Sequence, residues 1–261
     1  MKQIPIIGFI SPPTWFDPSP AEFSKIVLQE VQTQQTILPL LDFDYQIGSF
    51  ASLQMDLNMA AQLLKASGCN LIVQVGSPFA WAGTKNEEEA RQRCESMSTT
   101  AGVPVIMNTL AIIDALRAIN VRNIAVNCTY YKPEWRDRFG DFLSMCGFNP
   151  LYLSNLADQN LVEPDNIFSL GWAMTSQLTI NSTLAVAKAV PEAEAIVVTG
   201  AGARTLDILN EMETHVKRPI IAADTILYWA VARELNLTMM VEMLINNLSP
   251  TIKSEPLTSS L

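Results

Sequence analysis

The sequence predicts an α/β fold of two pseudo-symmetric, Rossmann-like lobes, with parallel sheets and a cleft between the lobes. Short apolar runs alternate with amphipathic segments along the chain, the order of these segments repeats in the second half, and 49% of the 261 residues are hydrophobic. Unbroken, β-branched runs are typical of strands buried on both faces of a parallel sheet. Their alternation with helical patterns favours α/β layers, and the length allows a sizeable core in each lobe.

Six short runs have the character of buried strands, because they are mainly apolar and rich in β-branched residues. They lie at residues 4–11, 69–76, 103–108, 123–128, 194–200 and 218–223. Amphipathic segments with helical periodicity lie between them, at residues 54–68, 110–120 and 182–194. We therefore expect strands and helices to alternate from the first residues onwards.

The order of these elements occurs twice. The stretch "IPIIGFISPPTW" is similar to "RNIAVNCTYYKPEW", "AAQLLKASGCNLIVQVGSPFAW" to "LAVAKAVPEAEAIVVTGAGART", and "GVPVIMNTLAIIDALRAI" to "KRPIIAADTILYWAVAREL". The period is too long for a solenoid and indicates two similar lobes. We predict a first lobe at residues 1–115, a second at 116–235, and a C-terminal helix and frayed tail at 236–261, with room for this segment to pack back on the first lobe.

Composition narrows the class of partner. The net charge of −9 and the pI of about 4.7 argue against nucleic acid and anionic membranes as partners. No apolar stretch has the length of a membrane-spanning helix. The four cysteines form neither a CxxC motif nor a disulfide framework, which predicts a reducing, cytoplasmic setting. A small molecule is the partner we expect, and a homo-oligomer stays open.

Four turns are predicted to meet in the cleft, because the carboxyl ends of parallel strands converge there. Gly76 and Gly200 allow special backbone angles or close approach to a ligand. Ser77, Thr199 and Tyr130 bring hydroxyl groups, and the amides beside the glycines are candidates for an oxyanion hole. The turns lie at residues 11–14, 76–78, 129–131 and 199–202.

Aromatic residues follow two of these turns. Trp15 and Phe16 come after the first, and Phe79 and Trp81 come after the second. They form either one apolar wall of a pocket or ordinary packing between elements. With an apolar wall, the pocket suits a carboxylate that carries an apolar substituent.

The stretches "GFISPP", "GSPFAW", "VPVIMNTLAIIDALRAINVRNIAV" and "GAGARTLDIL", together with the Tyr130 turn, resemble the aspartate/glutamate racemase superfamily. Within it, the similarity is to the branch of arylmalonate decarboxylase and maleate cis–trans isomerase, and it extends over residues 4–235. The resemblance implies a two-lobe fold with a cofactor-free and metal-free site in the cleft. It also implies stabilisation of an enediolate, the dianion left when the α-carbon of a carboxylate loses CO₂ or a proton.

Enzymes that this chain resembles typically carry one cysteine in the turn of each lobe, as acid or base. The matching positions here are Gly76 and Gly200, so the usual proton carriers are missing. The resemblance carries the catalytic role over to Gly76, Gly200 and Tyr130, and Pro78 replaces a hydroxyl residue of the decarboxylase. The substrate-binding residues expected from the resemblance and from the turns are Pro12, Ser77, Pro78, Tyr130, Thr199 and Ala201.

Other residues are candidates for the missing proton carrier. Tyr130 is a weak acid in a fitting place, with an ordinary pKa of about 10. Cys128 is either a thiol near the cleft or a buried strand residue. His215 is expected on the opposite face, and Asp224 is either a base or a helix cap. Asp42 and Asp44 are further candidate carboxylate bases. Arg204, which follows the second glycine turn, either attracts an anion or is simply solvated.

Three functions are consistent with the sequence. The first is a cofactor-independent decarboxylase, isomerase or racemase-like enzyme that acts on a small (di)carboxylic acid through an enediolate. The second is a protein of the same fold that binds a small carboxylate without converting it. The third is a lyase or hydrolase that uses an ordered water, for which the sequence offers no convincing base or metal-ligand set.

Overall fold

The computed structural model describes residues 4–241 and residue 243. Its strands form two four-stranded sheets, and all six strand pairs within these sheets run parallel. The first sheet contains β1 (Ile6–Ser11), β2 (Gln32–Ile37), β3 (Leu71–Gln74) and β4 (Val105–Met107). The second contains β5 (Asn123–Asn127), β6 (Asn149–Ser154), β7 (Ala195–Val198) and β8 (Ile220–Ala222). We call the halves of the chain that carry these sheets the first and second lobes.

Helices connect the strands in both lobes. Those of the first lobe are α1 (Ser19–Ile26), α2 (Ile47–Ala51), α3 (Gln54–Ala66), α4 (Pro78–Trp81), α5 (Glu87–Ala101) and α6 (Asn108–Ala118). Those of the second are α7 (Pro133–Met145), α8 (Ser176–Ala189), α9 (Leu209–Val216) and α10 (Ala223–Glu234), together with the 3-10 segments Pro164–Asn166 and Phe168–Trp172.

The internal repeat expected from the sequence is confirmed by the sheet topology. The strand order is β2-β1-β3-β4 in the first lobe and β6-β5-β7-β8 in the second, so each strand has its counterpart four strands later. The predicted α/β class with two pseudo-symmetric parallel sheets is therefore correct. The central strands β3 and β7 are buried along their whole length, as their unbroken apolar sequences require.

The two lobes pack through helices at matching places of the repeat. Helix α6 lies against α10, and Asn108 Nδ2 at the start of α6 donates a hydrogen bond to Ala223 O at the start of α10, at 2.6 Å. Helix α6 crosses the predicted boundary at residue 115, and the division into residues 1–115 and 116–235 stays a prediction. Among the described residues, no helix is both long and apolar enough to cross a membrane.

The end of the described chain returns to the first lobe. Residues Val27 and Met239 form an isolated antiparallel bridge, and Leu28 N donates to Thr238 O at 2.9 Å. Residues 236–241 form a bridge and turns, and the C-terminal helix expected within residues 236–261 stays a prediction. Residue 242 and residues 244–261, which include the predicted frayed tail, lie outside the described residues.

The carboxylate of Glu87 ties α5 to α6. Its Oε1 lies 2.7 Å from Arg91 Nε, and its Oε2 lies 2.5 Å from Arg117 Nη2. The hydrogen bond from Arg117 is the main cause that lowers the pKa of Glu87, to about 2. A carboxyl whose pKa is lower in the folded chain stabilises it above its unfolded pKa, and this contribution disappears as the pH falls towards the folded pKa.

Glu87→Gln is therefore expected to lower the free energy of unfolding by about 1–2 kcal/mol at pH 7, a figure reduced because the two arginines are exposed to solvent. The difference from wild type is expected to shrink as the pH falls from 4.5 towards 2. Urea unfolding at a series of pH values measures it. The control is Glu88→Gln, at an exposed neighbour whose carboxylate accepts a single long hydrogen bond from Gln92 Nε2. If the difference in free energy of unfolding stayed unchanged at pH 2.5, the ionised carboxylate of Glu87 would not be its cause.

Candidate active site

A small cavity lies between the lobes, at the carboxyl ends of the sheets. The space open to the centre of a water molecule is about 50 Å³. Each of the four predicted turns contributes to its wall. The lining residues are Pro12, Trp15, Tyr45, Phe50, Gly76, Ser77, Pro78, Phe79, Tyr130, Tyr131, Trp135, Phe168, Gly171, Trp172, Gly200, Ala201 and Gly202.

The structure brings most of the predicted site residues together around this cavity. Of the predicted set, Pro12, Gly76, Ser77, Pro78, Tyr130, Gly200 and Ala201 line it. Thr199, which directly precedes Gly200, is buried beside it without being part of the lining. This is a result about position, and the functional role of each residue stays a prediction.

The two glycine turns have matching backbone geometry. Gly76 follows β3 with a φ of 102°, and Gly200 follows β7 with a φ of 98°. Both angles lie in the left-handed half of the map, where L residues are strained. In the described part of the chain, the amide N–H groups of Gly76, Ser77, Gly200 and Ala201 donate to no protein acceptor. Each lobe thus supplies two unpaired backbone donors to the cavity wall, an arrangement suited to a carboxylate or an oxyanion.

The Ser77 hydroxyl is held in place by its neighbours. Trp81 Nε1 donates to Ser77 Oγ at 3.0 Å, and Thr109 Oγ1 lies 2.8 Å from Ser77 O and 2.9 Å from Ser77 Oγ. Because an indole N–H can only donate, Ser77 Oγ accepts from Trp81 and keeps its own proton for another acceptor. Trp81 is therefore a buried positioning residue and does not line the cavity.

Thr199 and Tyr131 carry buried hydroxyls that have no hydrogen-bond partner among the described residues. Thr129 Oγ1 donates to the backbone oxygen of Thr199 at 2.7 Å and fixes this turn. Buried hydroxyls are usually paired, so unpaired ones at a cavity indicate places where a ligand or water binds.

Tyr130 is packed tightly between two glycines. Its Oη accepts a hydrogen bond from Gly202 N at 3.1 Å. A Cβ atom on Gly200 would lie 2.6 Å from Tyr130 Cε1, and one on Gly171 would lie 2.9 Å from Cε2, so only glycine leaves room for the ring on both sides. Burial raises the pKa of Tyr130 to about 12 against the smaller opposing effect of the Gly202 amide, and the phenol is protonated at neutral pH.

Aromatic rings from both lobes cover the cavity. The segment Phe168–Trp172 of the second lobe meets residues of the first lobe there. The ring of Trp172 lies edge-on to Trp15 and Tyr45, with centroids 6.4 Å and 5.6 Å apart, and Phe168 lies 5.3 Å from Tyr45. Tyr45 also donates a hydrogen bond to Pro13 O. These contacts close the cleft over the four turns.

The other candidate proton carriers lie outside the lining. Cys128 is fully buried, and burial raises the pKa of its thiol. His215 is exposed in the last turn of α9, with Nδ1 2.7 Å from Glu211 O. Asp224 accepts hydrogen bonds from Thr205 N and Oγ1. Its carboxylate therefore does not cap α10, and it does not line the cavity. Asp42 and Asp44 are exposed, and Arg204 pairs with carboxylates behind the turn that contains Ala201.

The residues that cover the site were not predicted from the sequence. The residues it did not single out are Tyr45, Phe50, Tyr131, Trp135, Phe168, Gly171 and Trp172. The sequence could have indicated Tyr131, since it lies in the same predicted turn as Tyr130. Of the aromatic residues expected near the turns, Trp15 and Phe79 line the cavity, whereas Phe16 is exposed.

Comparison with known proteins agrees with this geometry. A sequence model described as arylmalonate decarboxylase matches residues 7–244, nearly the whole chain. The chain belongs to the arylmalonate decarboxylase family. No curated protein sequence is similar enough to count as a match.

Solved structures of this family and its relatives share the fold at low identity. A crystal structure of arylmalonate decarboxylase has a TM-score of 0.69 at 18% identity, covering 88% of this chain and 91% of that one. Maleate isomerase Iso from Pseudomonas putida S16 has a TM-score of 0.74 at 16% identity, with coverages of 90% and 94%. A cysteine-to-serine variant of Nocardia farcinica maleate cis–trans isomerase, with a covalently bound succinylcysteine intermediate, has 0.76 at 16% identity, with coverages of 95% and 99%.

Proposed function

We propose that this member of the arylmalonate decarboxylase family binds a small dicarboxylic acid in the cleft and decarboxylates it through an enediolate, without a cofactor. The observation that carries the proposal is the set of four unpaired amide donors around the cavity, two from each lobe, at Gly76, Ser77, Gly200 and Ala201. Negative charge moves onto the carboxylate oxygens as the enediolate forms. Donors fixed in advance stabilise that charge, and removal of one such donor typically costs about 10²–10³ in rate.

Decarboxylation fits the lining better than racemisation or isomerisation. A racemase must remove a proton from carbon, and the succinylcysteine intermediate of the Nocardia farcinica protein requires a thiol. Among the described residues that line the cavity there is no Cys, His, Lys, Arg, Asp or Glu. The tyrosines that are present hold their protons at neutral pH, so they can serve as acids but not as bases. Loss of CO₂ needs no base, and the enediolate then needs only an acid.

The size of the cavity favours a short acid. A space of about 50 Å³ for water centres accommodates roughly three to five water molecules. That is room for malonate or methylmalonate, whereas an aryl substituent requires Phe168 and Trp172 to move. The apolar aromatic cover suits a small alkyl group beside the bound carboxylate.

NMR in D₂O with malonate, methylmalonate, maleate and phenylmalonate tests the proposal. We expect malonate and methylmalonate to lose CO₂ and gain one deuterium at the α-carbon, phenylmalonate to react more slowly, and maleate to stay unchanged. Ser77→Ala is expected to lower the rate about tenfold or more, since it removes a hydroxyl donor. The control is Ser144→Ala, an exposed serine of α7. Exchange of α-protons without loss of CO₂, or conversion of maleate, would contradict the proposed reaction.

A second candidate is a protein that binds a small carboxylate without converting it. The observation in its favour is the same lining, which holds no ionised side chain at neutral pH among the described residues. Broadening of the malonate signals by the protein, with no loss of CO₂ from any acid of the panel, would favour this candidate.

A further inference from the structure

The hydroxyl of Tyr131 is one of three buried polar groups at the cleft without a hydrogen-bond partner among the described residues, beside Thr199 Oγ1 and Trp135 Nε1. Tyr131 is 1% exposed and lines the cavity, and its phenol, unlike the indole of Trp135, is an acid that can give up its proton. Burying an unpaired hydroxyl destabilises the folded chain. A hydroxyl kept in this state beside a cavity is available for a ligand.

Its neighbours come from both lobes. The hydroxyls of Ser77 and Thr199 are the polar groups beside Tyr131 Oη, and they lower the pKa of the phenol, though less than burial raises it. Neither hydroxyl meets the geometry of a hydrogen bond with Tyr131. Ser77 directly follows Gly76 and Thr199 directly precedes Gly200, so Tyr131 Oη lies between the two glycine turns.

The neighbouring tyrosine is placed for a different task. Tyr130 Oη already accepts from Gly202 N, and its ring is fixed between Gly171 and Gly200. Its remaining proton can be donated to a carboxylate oxygen, alongside the backbone donors. Tyr130 is thus suited to bind charge and Tyr131 to deliver a proton.

We propose that Tyr131 is the proton donor of the cleft, the group that protonates the α-carbon once CO₂ has left. The inference rests on the proposed decarboxylation. The bond between the α-carbon and one carboxylate breaks, CO₂ departs, and the bonding pair enters the enediolate. The α-carbon then takes the proton of Tyr131 O–H, and the electron pair of that bond stays on the phenolate oxygen. A proton from water, passed by the hydroxyl of Ser77 or Thr199, restores the phenol.

The direction of this transfer is favourable. The enediolate is a much stronger base than a phenolate, so even a buried phenol is acidic enough to protonate it. Because burial raises the pKa of Tyr131, the proton is in place throughout the neutral pH range. The same property prevents Tyr131 from acting as a base, which agrees with decarboxylation as the reaction.

Methylmalonate in D₂O tests the proposal, with Tyr130→Phe as the matched variant of Tyr131→Phe. The product, [2-²H]propionate, is chiral, and its enantiomer ratio shows whether one protein group delivers deuterium to one face. We expect wild type to give one enantiomer in excess. Tyr131→Phe is expected to slow product formation about 10²–10⁴-fold, as for loss of a general acid, and to give racemic residual product. Tyr130→Phe is expected to be slower but to keep the enantiomeric excess.

Two results would overturn this assignment, and they differ in what they say of the proposed function. If wild type decarboxylates methylmalonate and Tyr131→Phe keeps both the rate and the enantiomeric excess, Tyr131 is not the donor, and the decarboxylase proposal stands. If wild type decarboxylates no acid of the panel, both proposals are wrong. Urea unfolding of both variants checks that each phenylalanine leaves the fold intact.

Discussion

Gly200→Cys is expected to lower the free energy of unfolding by about 2–5 kcal/mol and to abolish carboxylate binding, although the resemblance places a cysteine at this position. The backbone φ of Gly200 is 98°, where any L side chain is strained. Its Cβ would lie 2.6 Å from Tyr130 Cε1 and 2.8 Å from Thr129 Oγ1. The other edge of the ring faces Gly171, where an added Cβ would lie 2.9 Å from Tyr130 Cε2, so the ring has little room to move aside.

Gly76→Cys and Gly200→Ala are the matched variants for this prediction. Gly76 has nearly the same φ, 102°, but its Cβ would meet Phe79 at 3.0 Å and Pro12 at 3.4 Å. We therefore expect Gly76→Cys to be the less destabilising cysteine. Gly200→Ala adds the same Cβ without a thiol, so it should destabilise about as much as Gly200→Cys.

Urea unfolding and calorimetric titration with malonate measure both effects. If Gly200→Cys were as stable as wild type and faster in decarboxylation, the ring of Tyr130 would be free to move away from the new side chain. The absence of a cleft thiol would then limit the rate of the wild type, and a steric clash with Tyr130 would not be the reason for glycine at this position.

The fold was largely predictable because its strongest signals are local and occur twice. The central strands β1, β3, β5 and β7 are mainly apolar, and the repeat indicated that the two halves of the chain contain matching strands. Two of the four edge strands, β2 and β6, were missed, whereas the edge strands β4 and β8 fall within the predicted runs at residues 103–108 and 218–223. Strand β2 reads "QTQQTI" and is half-exposed, and β6 alternates between exposed and partly buried positions over its first four residues. Whether these segments form strands depends more on their pairing with a central strand than on their own composition.

The glycine turns of the site were predictable from the sequence, whereas the aromatic residues that cover them were not. Glycine after a buried strand marks a turn at the carboxyl end of the sheet, which sufficed to place Gly76 and Gly200 at the cleft. The segment Phe168–Trp172 has no comparable signal, since its contact with Tyr45 and Trp15 joins residues far apart in the chain. Nothing in the sequence favours Tyr131 over Tyr130 either, because adjacent side chains differ only in where the folded turn points them.

The direction in which a charged side chain points is also not predictable from the sequence, as Arg204 shows. The sequence leaves Arg204 as either an anion-attracting residue near the second glycine turn or a solvated one. In the structure its guanidinium is occupied, with its Nη1 3.8 Å from Asp17 Oδ1, its Nε 4.0 Å from Asp224 Oδ2, and its Nη2 paired with Glu22. Asp17 and Glu22 belong to the first lobe. Arg204 therefore joins the lobes and does not face the cavity.

Arg204→Met is expected to lower the free energy of unfolding by about 3–5 kcal/mol at pH 7, as for removal of one partner of a buried ion pair. Burial lowers the pKa of Arg204, but the charges of Asp224 and Asp17 and the hydrogen bond to Glu22 help to outweigh it and raise the pKa overall, so the guanidinium stays charged. The side chains of Asp17 and Asp224 are fully buried. Without Arg204, these carboxylates and Glu22 lose the cation that they share.

Removal of the Arg204 guanidinium is also expected to affect the cleft. Arg204 Nη1 donates to Ala201 O at 3.0 Å and so holds the turn that carries two of the four amide donors. We expect Arg204→Met to weaken malonate binding as well as stability. Arg136→Met is the control, because Arg136 is 21% exposed against 23% for Arg204, while its partners Asp137 and Asp158 reach solvent. Its expected cost is about 1 kcal/mol or less.

A second substitution separates a charge effect from lost packing. In Arg204→Met the carboxylates of Asp17, Glu22 and Asp224 have lost the cation that lies between them. Glu22→Gln in the same chain removes one of these negative charges, so it is expected to recover part of the lost free energy of unfolding at pH 7. If Glu22→Gln recovers none of it, Arg204 stabilises the lobes by packing alone.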